Sequence, residues 1–100
     1  MAKIKKIKVS RNPKDLATDL GLPPSIAIEW EIRRLVTERI IQVAESQGLR
    51  VTTIALKSET SRARVTRILK GDTEGISLDV LLRILGSMGQ KVEMKFKAVS

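Results

Sequence analysis

The chain has 100 residues and a formal net charge of +8, and it contains no cysteine and no histidine. A chain of this length forms one domain with no room for a separate catalytic module, and without Cys and His the usual nucleophile–base pairs and zinc ligand sets cannot be assembled. We therefore expect no enzyme, no cofactor and no metal site, and the absence of an apolar run of roughly 20 residues predicts a cytoplasmic protein with no membrane partner.

The N-terminal segment is strongly basic. Residues 1–14 carry six Lys or Arg side chains and no acid. Such a run is either a solvated arm or a contact to a polyanion, through Lys5, Lys6 and Lys8. Asn12-Pro13 then has the pattern of a helix cap followed by a first-turn proline, which predicts a short helix ending at Gly21.

A long amphipathic helix is predicted from Ile26 to Gln47, with Gly48 as its stop. Its apolar residues recur at steps of three and four and predict one buried stripe. The stripe comprises Ile28, Ile32, Leu35, Val36, Ile40 and Val43. Trp30 lies off this stripe, so it is either a half-buried structural tryptophan or a cover for a neighbouring segment or partner subunit.

Two short helices follow, from Val51 to about Lys57 and from Ser61 to Leu69, with a break at residues 58–60. Val65, Ile68 and Leu69 share one side of the second helix, which predicts that this side is buried. Its opposite side is basic and rich in hydrogen-bond donors. Ser61 is a suitable N-cap for this helix.

A fourth helix of this region is predicted between a Ser77 cap and Gly89, after a polar loop at residues 71–75. Its inner face is expected to consist of Leu78, Leu81, Leu82 and Leu85. The tail alternates strictly, with Val92, Met94 and Phe96 on one side, which predicts a half-buried strand. Because a lone strand needs a partner, it is expected to pair either with the N-terminal segment or, preferably, with its copy in a dimer.

The segment from Thr52 to Gly71, TTIALKSETSRARVTRILKG, together with the following GISLDVLLRILGSMGQKVEMKF, resembles the phage-repressor-like (XRE-type) helix-turn-helix family. The preceding DLGLPPS and long helix resemble its subgroup of HigA-type antitoxins, so the resemblance covers roughly residues 13–97. Val51 stands where glutamine is common, Lys57-Ser58 where apolar residues are common, and Glu59 where glycine usually makes the turn. Glu59 must therefore either adopt a left-handed backbone, at a strain of about 1 kcal/mol, or belong to a turn of different detail.

The expected fold class is mainly α: a helix-turn-helix bundle of about five helices with a short C-terminal β-strand and an N-terminal strand or arm. The expected organisation is a basic arm or strand at residues 1–12, a helix-turn-helix domain at 13–89 and a C-terminal strand with a dimer contact at 90–100.

The resemblance implies a transcriptional regulator, acting as a repressor, that binds double-stranded DNA at a palindromic operator as a homodimer. Arg62 and Arg67 are expected at guanine edges because a guanidinium fork matches O6 and N7, and Arg64 and Lys70 are expected to hold phosphates. The complete set of expected DNA-contacting residues is Ser61, Arg62, Ala63, Arg64, Thr66, Arg67, Lys70, Lys57 and Ser58.

An alternative role is also implied by the resemblance. In this role the chain is an antitoxin that neutralises a RelE-like toxin mainly by protein contact, through the long helix or the N-terminal segment, and regulates its own gene. Binding of RNA or of a membrane surface is disfavoured, because the chain lacks stacking aromatic residues and a broad apolar face.

Overall fold

The computed structural model describes residues 23–98, and four helices lie in this range. They are α1 (Pro24–Gln47), α2 (Val51–Ser58), α3 (Arg62–Leu69) and α4 (Leu78–Ser87). The prediction of a mainly helical chain is confirmed for this part, with helix bounds within two residues of those expected. The predicted helix after Pro13 and the basic arm lie outside the described residues.

The chain divides into two compact units. One comprises residues 33–91 and holds most of α1 together with α2, α3 and α4. The other contains, among the described residues, the first turns of α1 and the tail from residue 92 onward.

The core of the 33–91 unit is aliphatic, as the composition predicts, and α2 packs against both α3 and α4. Its buried side chains include Val36, Ile40, Val43, Ile54, Ala55, Val65, Ile68, Leu81, Ile84 and Leu85. On α3 the burial predicted for Val65 and Ile68 is confirmed, while Leu69 is only half-buried. On α4 the prediction missed Ile84, which is fully buried, while Leu78 and Leu82 are only half-buried.

All four helices end in the same motif. The N–H group following a left-handed residue returns to a carbonyl five positions earlier, which satisfies a carbonyl at the helix end. These bonds run from Leu49 to Ala44, Thr60 to Ala55, Asp72 to Arg67 and Gln90 to Leu85, with N···O distances of 2.9, 3.0, 2.9 and 3.3 Å. The left-handed residue is glycine in three helices, at positions 48, 71 and 89, and Glu59 in the fourth. The predicted stops at Gly48 and Gly89 are thus confirmed.

Two expectations about the start of α1 and the C-terminal tail are wrong. Ile28, predicted as part of the buried stripe, is 42% exposed. The predicted C-terminal strand does not form within residues 90–98, where only a single bridge residue, Met94, occurs. Of the side chains predicted to share the half-buried face, Val92 is half-buried, while Met94 and Phe96 are 45% and 88% exposed. The alternation indicates which side chains would share a face, but it cannot supply the partner strand that a ladder needs.

Candidate nucleic-acid interface

The outward surface of α3 is set by two anchors on its opposite side. Val65 and Ile68 are 1% and 0% exposed and point into the core of the 33–91 unit. With 3.6 residues per turn, this orientation leaves Arg62, Ala63 and Arg64 in solvent, as the structure shows. The first turn of α3 therefore presents two guanidinium groups around a small apolar residue.

The N-terminus of α3 is capped as predicted. The Ser61 Oγ accepts a hydrogen bond from the backbone N–H of Arg64 at 3.1 Å, and the Ser61 carbonyl accepts one from Val65 at 3.1 Å. The N–H groups of Arg62 and Ala63 have no acceptor within the described part of the chain. These open donors and the positive end of the helix dipole make the turn suitable for an anion.

The turn between α2 and α3 contains the left-handed Glu59, with φ 55° and ψ 43°. Of the two alternatives drawn from the sequence, the strained left-handed backbone is therefore correct. Ser58, just before it, is 1% exposed and donates its hydroxyl to the Ile54 carbonyl at 2.7 Å. A buried hydroxyl bonded within its own helix is not placed to meet DNA, so Ser58 belongs to the packing of the motif and not to its surface.

The remaining predicted residues, apart from Arg67, lie on or near the surface. Lys57 on α2 and Lys70 at the end of α3 are exposed, and neither side chain has a polar partner among residues 23–98. Thr66 is half-buried and donates its hydroxyl to the Arg62 carbonyl at 2.9 Å. Its methyl group and remaining acceptor capacity are still available.

Arg67, in contrast, is engaged with the loop that follows α3. Its Nε and Nη2 lie 3.1 and 3.3 Å from the two carboxylate oxygens of Asp72, and Nη2 also donates to the Glu74 carbonyl at 2.6 Å. We call this arrangement of Arg67, Asp72 and Glu74 the Arg67 clamp. The hydrogen bond from Arg67 is the main cause that lowers the pKa of the Asp72 carboxyl, and the bond from the Glu74 N–H adds to it. The hydrogen bond to Asp72 and the charge of its carboxylate raise the pKa of Arg67.

A second arginine holds the same loop from α1. Nη2 of Arg33 donates to the Thr73 carbonyl at 2.7 Å. The clamp and this bond together fix three consecutive loop residues, 72 to 74. Sequence reasoning missed both: Asp72 follows Arg67 by five positions across a helix end, and Arg33 is 40 residues from Thr73, a separation that leaves no local pattern.

Residues 23–98 contain no group of three or more acidic, His or Cys side chains arranged to hold a metal ion. None of the helices in the described range combines the length and apolar character needed to cross a bilayer.

Comparison with known proteins gave one finding. A family model described as a helix-turn-helix domain matches residues 16–97, which is most of the chain. Searches of the curated proteins and of the solved structures gave no match. The matched region contains α2, the Glu59 turn and α3 in the order and spacing of the motif. The chain therefore belongs to this helix-turn-helix domain family.

Proposed function

We propose that the chain is a sequence-specific DNA-binding transcriptional regulator that places α3 in the major groove. One observation carries this proposal: the first turn of α3 presents Arg62, Ala63 and Arg64 to solvent, while Val65 and Ile68 anchor its other side. In helix-turn-helix proteins the N-terminal residues of the second helix contact base edges. No catalytic role is proposed.

The residues of α3 take distinct roles. Arg62 is assigned to a guanine, because its guanidinium offers two parallel donors to O6 and N7. Ala63, and the methyl group of Thr66, fit the methyl group of thymine. The open N–H groups at the start of α3 suit a phosphate oxygen. Side-chain phosphate contacts are assigned to Lys57, Arg64 and Lys70.

We further propose that the regulator is a homodimer on a palindromic operator and acts as a repressor at the nucleoid. A recognition helix of eight residues contacts few base pairs, so a second copy is needed to define a site. The two half-sites would lie about 34 Å apart. Sedimentation of the protein with a selected duplex tests this arrangement, and a stable complex of one protein per duplex would contradict it.

The test of the proposed function is selection of bound duplexes from a random pool at physiological salt, followed by footprinting of the protein on the selected duplexes. The wild-type chain should select a consensus. Arg62→Ala should weaken binding to that consensus by about 1–3 kcal/mol and relax one base position, since it removes a bidentate contact. Arg83→Ala on α4 is the matched control for loss of one exposed arginine, and it should leave the consensus intact. Failure of the wild-type chain to enrich any sequence would refute the proposal.

A second candidate function is an antitoxin that acts by protein contact, and two exposed side chains on α1 favour it. Ile28 is 42% and Trp30 is 45% exposed, and large apolar groups in solvent are frequent at protein interfaces. Co-expression with the product of an adjacent toxin-sized reading frame tests this role. A complex that forms with the wild-type chain and is lost in Trp30→Ser would support it, and no complex with the wild-type chain would contradict it.

A further inference from the structure

The Arg67 clamp engages three of the N–H donors of Arg67. A guanidinium has five N–H groups on three nitrogen atoms. Nε and Nη2 donate to Asp72, and Nη2 also donates to the Glu74 carbonyl, so only the two N–H groups of Nη1 are left. An arginine reads guanine through two parallel N–H groups on adjacent nitrogens, and both such edges include Nη2. The clamp thus blocks both edges that could read a base.

The acceptors of the clamp are themselves held in place. The Asp72 carboxylate also accepts the Glu74 N–H at 3.3 Å, which ties the side chain to its own loop. Arg33 fixes the intervening residue from α1 through the Thr73 carbonyl. If the Arg67 guanidinium turned toward another partner, Asp72 would stay bonded to its own loop, and the ion pair would be lost.

Arg62 presents the opposite situation on the same helix. It is exposed, and its side chain has no hydrogen bond or ion pair with any described residue. It also stands in the first turn of α3, where helix-turn-helix proteins place residues that read bases. Both of its two-donor edges are free to meet a guanine.

We propose that Asp72 is a specificity-determining residue that touches no base: it withholds Arg67 from the DNA, so that guanine reading by α3 rests on Arg62. This inference rests on the proposed function and changes the expectation that Arg67 reads guanine. Arg67 becomes a positioning residue of the loop at 71–75.

The experiment repeats the duplex selection with four variants: Arg67→Ala, Asp72→Ala, the double variant and Glu74→Ala. Glu74→Ala is the matched control, because it removes an acid two positions away while keeping the backbone carbonyl that accepts from Arg67. Circular dichroism establishes that each variant is folded before selection.

The expected results separate release of Arg67 from a general charge effect. Arg67→Ala should keep the wild-type consensus, and its affinity for selected and for scrambled duplexes should fall by the same factor. Asp72→Ala should add a guanine preference of roughly 5- to 150-fold, the range of a bidentate contact, and the double variant should lose it. Glu74→Ala should raise the affinity for all duplexes by the same factor, since it only removes a negative charge.

Two results would overturn the inference. One is loss of a base preference in Arg67→Ala, which would mean that the clamp opens on DNA and Arg67 already reads a base. The other is a consensus for Asp72→Ala that matches that of Glu74→Ala. If Asp72→Ala does not fold, the result with Arg67→Ala decides alone. A wild-type chain that selects no consensus refutes the proposed function itself, so the two failures are distinguishable.

Discussion

Glu59 occupies a backbone conformation that costs an L-amino acid roughly 1–2 kcal/mol. The three other helices of the described region use glycine at the equivalent position. Glu59→Gly should therefore raise the free energy of unfolding by about 1 kcal/mol, since glycine's greater freedom in the unfolded chain offsets part of the relief. Urea denaturation measures this change.

The matched control reverses the substitution at another helix end. Gly71 has φ 84°, and an added Cβ there would meet no atom within 4 Å, so only backbone strain acts in Gly71→Ala. The free energy of unfolding of that variant should be lower by about 1 kcal/mol or more. A lower stability of Glu59→Gly would show that the turn is not left-handed in solution.

The carboxyl of Asp72 gives the clamp a pH dependence of known sign. Its pKa is lowered in the folded chain, chiefly by the hydrogen bond from Arg67. A group with a depressed folded pKa stabilises the fold above its unfolded pKa, and this contribution is lost as the pH falls through the folded value. The clamp should therefore persist at neutral pH and open only in acid, below the usual range of an aspartate.

Titration of the Asp72 carboxyl by NMR checks this expectation. The pKa should lie below its ordinary value in the wild-type chain and return toward it in Arg67→Ala. Equal pKa values in the two proteins would mean that the clamp is absent in solution.

The orientation of α3 depends on the burial of Val65. Val65→Asp would place a carboxylate with no compensating charge in the core, and it should lower the free energy of unfolding by roughly 3 kcal/mol or more. Arg64→Asp, one position away and exposed, is the control and should leave the fold intact. Thermal denaturation followed by circular dichroism compares the two. Equal stability of both variants would mean that α3 faces the other way.

The helices also show what the sequence can predict. Their bounds follow from local chemistry, such as the Ser61 cap and the glycines after Gln47 and Met88, and the structure agrees. For Glu59 the resemblance to the XRE-type family left two alternatives, a left-handed backbone or a turn of different detail, and the structure shows the first. The engagement of Arg67 was not, because helical periodicity shows that a side chain is exposed but not which loop folds back to meet it.

Contacts between residues far apart in the sequence were not predicted, because periodicity describes one element and not its neighbours. The bond from Arg33 to Thr73 joins residues 40 positions apart and leaves no periodic pattern. The tail was predicted as a strand from alternation alone, and Phe96 is instead 88% exposed. Alternation shows which residues of one segment would share a face, whereas a strand forms only when a second segment lies beside it to accept and donate hydrogen bonds.

The net charge of +8 predicts that DNA binding depends steeply on salt concentration. Lys70→Ala should weaken binding to all duplexes alike and reduce the slope of log K against log salt by about 1, because it removes one phosphate contact. Fluorescence anisotropy over a salt series gives this slope. A loss confined to the selected operator would show that Lys70 reads a base.

In the proposed complex the first turn of α3 faces the DNA. Titration of isotope-labelled protein with the selected duplex, with the backbone amide resonances followed by NMR, shows which residues meet it. The largest shifts should fall on Arg62, Ala63 and Arg64, whose side chains or open N–H groups meet the groove, with small shifts on the inner face of α4. Maximal shifts on the exposed start of α1, around Trp30, with α3 unchanged, would mean that α1 and not α3 meets the DNA.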